Sequence, residues 1–167
     1  DGKPGAPILR TRLEVTGCRN LSPSRRAEVE RANLLVRRTC ALIAAGHMIG
    51  TQHIIENPAD RGTRAHSDLF LDERHGPVWL FPEMCALRRA TDASMATFPM
   101  CAFSSPWQKF TTLQYSAGFT PWLERLTRLR CHHSRHSSMA GGEVNEDGVW
   151  VSRDAAAYPA SVLNLPV

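Results

Sequence analysis

Apolar positions in the segment "LSPSRRAEVERANLLVRRTCALIAAGHMIG" recur with the period of a helix. Val29, Ala32, Val36, Cys40 and Ile43 follow one another at steps of 3, 4, 4 and 3 residues, with charged residues between them. That spacing lines up one stripe on a helix face and predicts a helix running to about Ala45. Ser22, whose hydroxyl can accept from an unpaired backbone N–H, and Pro23, whose fixed φ suits the first helical position, mark its start. Glu28 and Glu30 fall near the positive end of the helix dipole, and Gly46 and Gly50 mark the end. Residues 1–21, with Pro4, Gly5, Pro7 and Gly17 and little periodicity, read as an extended connector. That leaves 22–167 as a single domain.

Beyond Gly50 the pattern changes. A short apolar run predicts a strand from Gln52 to Glu56, followed by a polar loop from Ala59 to Asp68. "PEMCALRRATDA" reads as a short helix with Pro82 near its start. "SMATFPM" reads as a second strand whose Pro99 limits pairing, "SSPWQK" as a turn, and "FTTLQYS" as a third strand rich in β-branched and aromatic residues. "TPWLERLTRL" predicts a further helix, capped by Thr120 with Pro121 in its first turn. In it Leu123, Leu126 and Leu129 share a face only loosely. The tail holds a strand-like "GVWVS" and a helical turn at "RDAAAY". Helices alternating with strands predict an α/β layered sheet, which places ligands just beyond the carboxyl ends of its strands. Glu56 stands at one such exit, in "HIIENPADRG", and the residues after Met100 stand at another.

Composition narrows the class. A chain of 167 residues, 43% hydrophobic and 22% charged, suits one globular domain. No run of 18 apolar residues exists, so no membrane span is expected, and no signal peptide is visible. A start at Asp1 rather than Met reads as a piece of a longer polypeptide. The net charge is +4, and of the 20 basic residues only Lys3 and Lys109 are lysine. Arginine is the better fork for phosphate and the better partner for stacking on bases, although an Arg excess also follows from a GC-rich coding sequence. The five cysteines, Cys18, Cys40, Cys85, Cys101 and Cys131, are odd in number and form no C-x-x-C pair. They point to free thiols in a reducing compartment, hence to an intracellular protein, cytoplasmic or nuclear.

Two places carry candidate chemistry. "RCHHSRHSS" puts Cys131, His132, His133 and His136 within six residues, and thiolate with imidazole is a zinc donor set. Cys131, His133 and His136 are the candidate ligands, with Cys85, Cys101 or His66 as sources of a further one. Arg128, Arg130 and Arg135 surround the cluster, so a basic nucleic-acid contact surface and a plain solvated loop stand as alternatives. Glu56, taken alone, reads as an ordinary strand-end carboxylate paired to Arg61 or Arg64. Trp79, Trp107, Trp122 and Trp150 read first as packing residues.

The order of motifs suggests more. "IIENPADRG" follows a long helix; a strand followed by "CAFSSPWQKFTTL" comes about forty residues later; then "LRCHHSRH" with a "GG" behind it. Together these resemble a methyltransferase-like domain of bacteriophages and retroelements, distantly similar to the cytosine-5 DNA methyltransferases. The resemblance covers about Arg10 to Tyr158. It implies a Rossmann-like methyltransferase sheet, of which this chain is an amino-terminally truncated, carboxyl-side part. It implies Glu56 as the acid that holds the target cytosine and Asn57 as its support, with Pro58 where the family has valine. It implies a DNA-facing segment in which Gln108 and Lys109 carry the match, Lys109 and Thr111 meet phosphates, and Trp107 stacks on a base. Arg130 and Arg135 join this surface, with DNA, or RNA, as partner. Met100 replaces the glutamine that relatives carry before the cysteine matching Cys101. The Phe-x-Gly-x-Gly loop for S-adenosylmethionine and the Pro-Cys nucleophile loop are not in these residues. The cofactor and the nucleophile therefore belong to the remainder of the parent polypeptide, and this segment alone should methylate nothing. The implied function is DNA cytosine methylation by a mobile-element protein. The rivals are a nucleic-acid-binding module that has lost the reaction, and a zinc-stabilised interaction domain.

Overall fold

A computed structural model of the chain describes residues 8–66, 71–133 and 138–139. The long helix α1 spans Pro23–Met48, strand β1 Ile54–Pro58, helix α2 Pro82–Ala90 and strand β2 Ser94–Pro99. They are followed by the two-residue strand β3 at Trp107–Gln108, strand β4 at Phe110–Tyr115, a single turn α3 at Thr120–Leu123 and the two-residue strand β5 at Ser138–Met139. The expected mixture of helix and strand is present. The anticipated pieces "GVWVS" and "RDAAAY" lie outside the described residues, as does His136.

The main sheet has three strands in the order β1-β4-β2. Strand β4 runs antiparallel to both neighbours, pairing Ile54 through Pro58 with Tyr115 through Thr111, and Ser94 through Pro99 with Tyr115 through Phe110. Every hydrogen-bonded strand pair of this sheet is therefore antiparallel. β1 and β2 do run parallel to each other and are connected through α2, but β4 sits between them. The turn expected at "SSPWQK" contains β3, which pairs parallel with β5. Ser104, in the left-handed region at φ 64°, makes the bend before it.

Strand alternation gives the sheet two different faces. Ile55 and Met95 pack with Val36, Cys40, Ile43, Trp79, Phe81, Met84 and Leu87, so the predicted α1 stripe does form core against α2 and the sheet. The opposite face buries Ala96, Phe98 and Tyr115 against Met100, Leu123 and Leu126. The segment predicted as a helix from Thr120 is α for one turn only and continues as a 3-10 helix over Glu124–Arg128. A 3-10 helix has three residues per turn, so positions three apart eclipse. Leu123, at the end of α3, and Leu126, within the 3-10 helix, are buried in this core, and Leu129, just past the helix, packs against it partly buried.

Helix α1 is capped as expected, with Ser22 accepting from the Arg25 N–H, but its first turn holds no acid. It continues through Gly46, and Gly50, at φ 82°, marks the turn that follows. Asn33 lies among the stripe residues and is buried. It accepts from Arg10 at 2.7 Å and donates to the Thr16 carbonyl at 2.7 Å. Arg12 pairs with Asp60 at 2.6 Å. Residues 8–21 thus carry no helix or strand and make these contacts with the rest of the chain. The other side of α1 exposes Leu34, Leu35, Leu42 and Met48. No helix among the described residues is long and apolar enough to cross a membrane.

The two sides of this packing make a direct contrast. Leu126, 2% exposed, should cost about 2–5 kcal/mol when replaced by Ala. Leu42, 74% exposed on α1, should cost no more than about 0.5 kcal/mol. Urea unfolding followed by circular dichroism measures both; equal midpoints for the two variants would contradict the core assignment.

Candidate functional site

Strand β1 carries Glu56 opposite Leu113 of β4, so its side chain lies on the face that holds Ala96 and Leu113. Lys109 immediately precedes β4. Its carbonyl accepts from the Met100 N–H at 2.8 Å, and the next carbonyl, of Phe110, accepts from the Ala59 N–H at 3.0 Å. The backbone at the start of β4 is thereby fastened to both neighbours. From there Lys109 Nζ comes within 3.9 Å of Glu56 Oε1, with the lysine side chain 18% and the glutamate side chain 33% exposed. Lys109, rather than Arg61 or Arg64, is the ion partner of Glu56 among the described residues. Oε1 is shielded from solvent and accepts no hydrogen bond among the described residues. A shielded carboxylate oxygen without a donor is costly, about 1–3 kcal/mol or more, and a charge-assisted donor would relieve that cost.

Asn57 faces the other way. It pairs with Thr112, whose hydroxyl hydrogen-bonds Thr97 at 2.7 Å, on the face shared with Ile55 and Met95. Strand alternation therefore turns its side chain to the face opposite that of Glu56. Pro58 presents its carbonyl to the Trp79 indole N–H at 2.8 Å, which makes Trp79 a packing residue. Thr111, expected at a phosphate, is 0% exposed and its hydroxyl has no partner among the described residues. Its place under the sheet, on the Glu56 face, keeps it from the surface. Trp107 and Gln108 form β3, directly before Lys109. Arg130 lies exposed and uses its guanidinium to donate to the carbonyls of Thr127 at 2.7 Å and Leu129 at 3.0 Å, closing the end of the 3-10 helix. Arg135 lies outside the described residues.

A second grouping stands at the carboxyl end of β2. The 3-10 turn Met100–Phe103 follows β2 directly and buries Cys101. The chain leaving Glu124–Arg128 returns Cys131 and His133 to it, and the ligand atoms of the three residues all lie within 4.8 Å of one another. Cys131 Sγ is 3.8 Å from His133 Nδ1. Burial, and then the hydrogen bond with Cys131, push the Cys101 thiol up to about 11. Two thiols and an imidazole so arranged could hold a metal ion. Of the three expected ligands, Cys131 and His133 meet here, and Cys101 completes the group from thirty residues upstream. The sequence offered Cys101 as one candidate among several and gave no signal that it was near.

No protein-family model, curated protein or solved structure matches the chain.

The state of Cys101 is open to a chemical check. A thiol pushed up by burial holds less thiolate at neutral pH than an exposed cysteine. After treatment with a chelator, iodoacetamide should leave Cys101 unmodified in the folded protein and label it in urea, as read by peptide mass. Labelling in the folded state as fast as in urea would contradict the burial of this group.

Proposed function

We propose that this chain is the base-engaging part of a mobile-element protein similar to the cytosine-5 DNA methyltransferases, and that Glu56 is the acid that holds an extruded cytosine. One observation carries the reading: two motifs far apart in sequence, Glu56–Asn57 and Gln108–Lys109, meet with the carboxylate 3.9 Å from the ammonium. Cytosine resists attack at its ring carbons, and a target base must first leave the stack. A carboxyl group aimed at its exocyclic amine and ring nitrogen accepts one hydrogen bond and shares a proton as charge builds on the ring. Lys109 orients that carboxylate and adds positive charge on the side from which a strand would approach.

β1 and β2 run parallel and are connected through α2, with β4 inserted antiparallel between them. We take this α/β arrangement as the carboxyl-side part of a Rossmann-like methyltransferase sheet. Among the described residues β4 is the only strand paired with β1, and we assign the outer edge of β1 to the remainder of the parent polypeptide. The exposed leucines of α1 offer that remainder an apolar surface. S-adenosylmethionine and the attacking thiol are assigned to the remainder as well, since no Phe-x-Gly-x-Gly or Pro-Cys loop occurs here. Five free cysteines suit an intracellular setting. A second reading, a nucleic-acid-binding module held by zinc that has lost methyl transfer, is favoured by the grouping of Cys101, Cys131 and His133.

Fluorescence anisotropy with oligonucleotides that present one unpaired base tests the first reading. The chain should prefer cytosine to thymine by about fivefold or more, a step of roughly 1 kcal/mol. Glu56→Gln should bring the two affinities together. Lys109→Ala should reduce the slope of log affinity against log salt by about one unit. Equal binding of cytosine and thymine by the unaltered chain would refute the role given to Glu56.

A further inference from the structure

We propose that Cys101, Cys131 and His133 form a structural zinc site that fastens the segment after Arg128 to the turn at the end of β2, at the root of the loop carrying Trp107, Gln108 and Lys109. The inference stands apart from the base-holding role of Glu56 and uses none of its residues.

Tetrahedral zinc with Zn–S near 2.3 Å and Zn–N near 2.0–2.1 Å requires ligand atoms about 3.5–3.8 Å apart. The observed separations all fall within 4.8 Å, and the Cys131–His133 pair is at 3.8 Å. Shifts well under the length of one bond would complete the geometry. Two thiolates and an imidazole select zinc over calcium or magnesium, which take oxygen ligands. The arrangement also has an entry path and an anchor. His133 is exposed and Cys131 half-buried, while Cys101 is held in the core beside Met100. The described residues supply three of the four protein ligands that a closed structural zinc takes.

Residues 129–133 have no helix or strand, and β3 and β5 pair over only two residues each. A metal joining position 101 to positions 131 and 133 closes a thirty-residue loop that contains β4, α3 and the 3-10 helix after it. It also fixes the direction in which the chain leaves toward β5. Loss of the ion should therefore loosen the Ser104–Lys109 loop and the segment after Arg128. The α1–α2 side of the sheet, with its separate core, should keep its packing.

The test uses the full chain purified under reducing conditions from zinc-containing medium. Mass spectrometry of metal content should find about one zinc per chain. Replacement by Co(II) should give the intense visible bands of a tetrahedral site and a thiolate-to-cobalt charge-transfer band in the near ultraviolet. Cys101→Ser and Cys131→Ser should each weaken zinc binding by at least about 100-fold. Cys85→Ser should leave it unchanged, because Cys85 donates to the Trp79 carbonyl and is not in the group. Should Cys101→Ser fail to fold, the cobalt spectrum of the unaltered chain still decides. Zinc well below stoichiometric with no charge-transfer band overturns the proposal, and so does full zinc retention in a folded Cys101→Ser variant.

Discussion

The seating of β4 between β1 and β2 is the constraint on which the rest of the molecule depends. It fixes which residues share a face. With Glu56 opposite Leu113, the acid lies on the side of Leu123 and Leu126, and Lys109, at the beginning of the same strand, can reach it. A slip of one residue would turn every side chain of β1 over and carry Glu56 to the α1–α2 face. The same slip would replace Ile55 with a charge in the Cys40–Trp79–Leu87 core, so the hydrophobic pattern protects the register and, through it, the candidate site. Both ends of the ladder are also fastened. Met100 and Ala59 donate to carbonyls at the start of β4, and the Ser116 N–H donates to the His53 carbonyl at its end, where the Ser116 hydroxyl also meets His53 Nδ1 at 2.7 Å. Burial pushes that imidazole below its usual range, so it sits neutral within this corner at neutral pH.

Much of this was legible where interactions are local. The α1 stripe follows from a repeat of three and four, and β4 follows from its Thr-Thr-Leu-Gln-Tyr composition, because both reflect one element meeting one surface. What was not legible is pairing at long range. The sequence lists β1, β2 and β4 in chain order, and nothing in them says that the last is inserted between the first two and runs against both. The same limit hid Cys101, whose partners arrive thirty residues later by a path that only the fold determines. Asn33 was not singled out from the sequence either. A polar residue on an otherwise apolar stripe calls for partners, and Arg10 and the Thr16 carbonyl supply them, drawing residues 8–21 onto the domain.

The arginine excess divides in a similar way. Arg10, Arg12, Arg37 and Arg130 are engaged with Asn33, Asp60, Glu83 and backbone carbonyls. They serve the fold in this structure, and they show that a count of arginines by itself did not identify a nucleic-acid surface. Lys109 is more informative than any of them, because it is turned toward a carboxylate whose Oε1 accepts no hydrogen bond among the described residues. Thr111 shows the converse: chosen from sequence as a surface donor, it is sealed beneath the sheet because its strand is the central one.

The central claim is that Glu56 and Lys109 act together on a base. A double-mutant cycle measures this most directly: Glu56→Gln, Lys109→Met and the double variant, each titrated with a strand bearing one unpaired cytosine. Joint action predicts a coupling energy of about 0.5–3 kcal/mol between the two substitutions. Losses that simply add, to within about 0.3–0.5 kcal/mol, would contradict it.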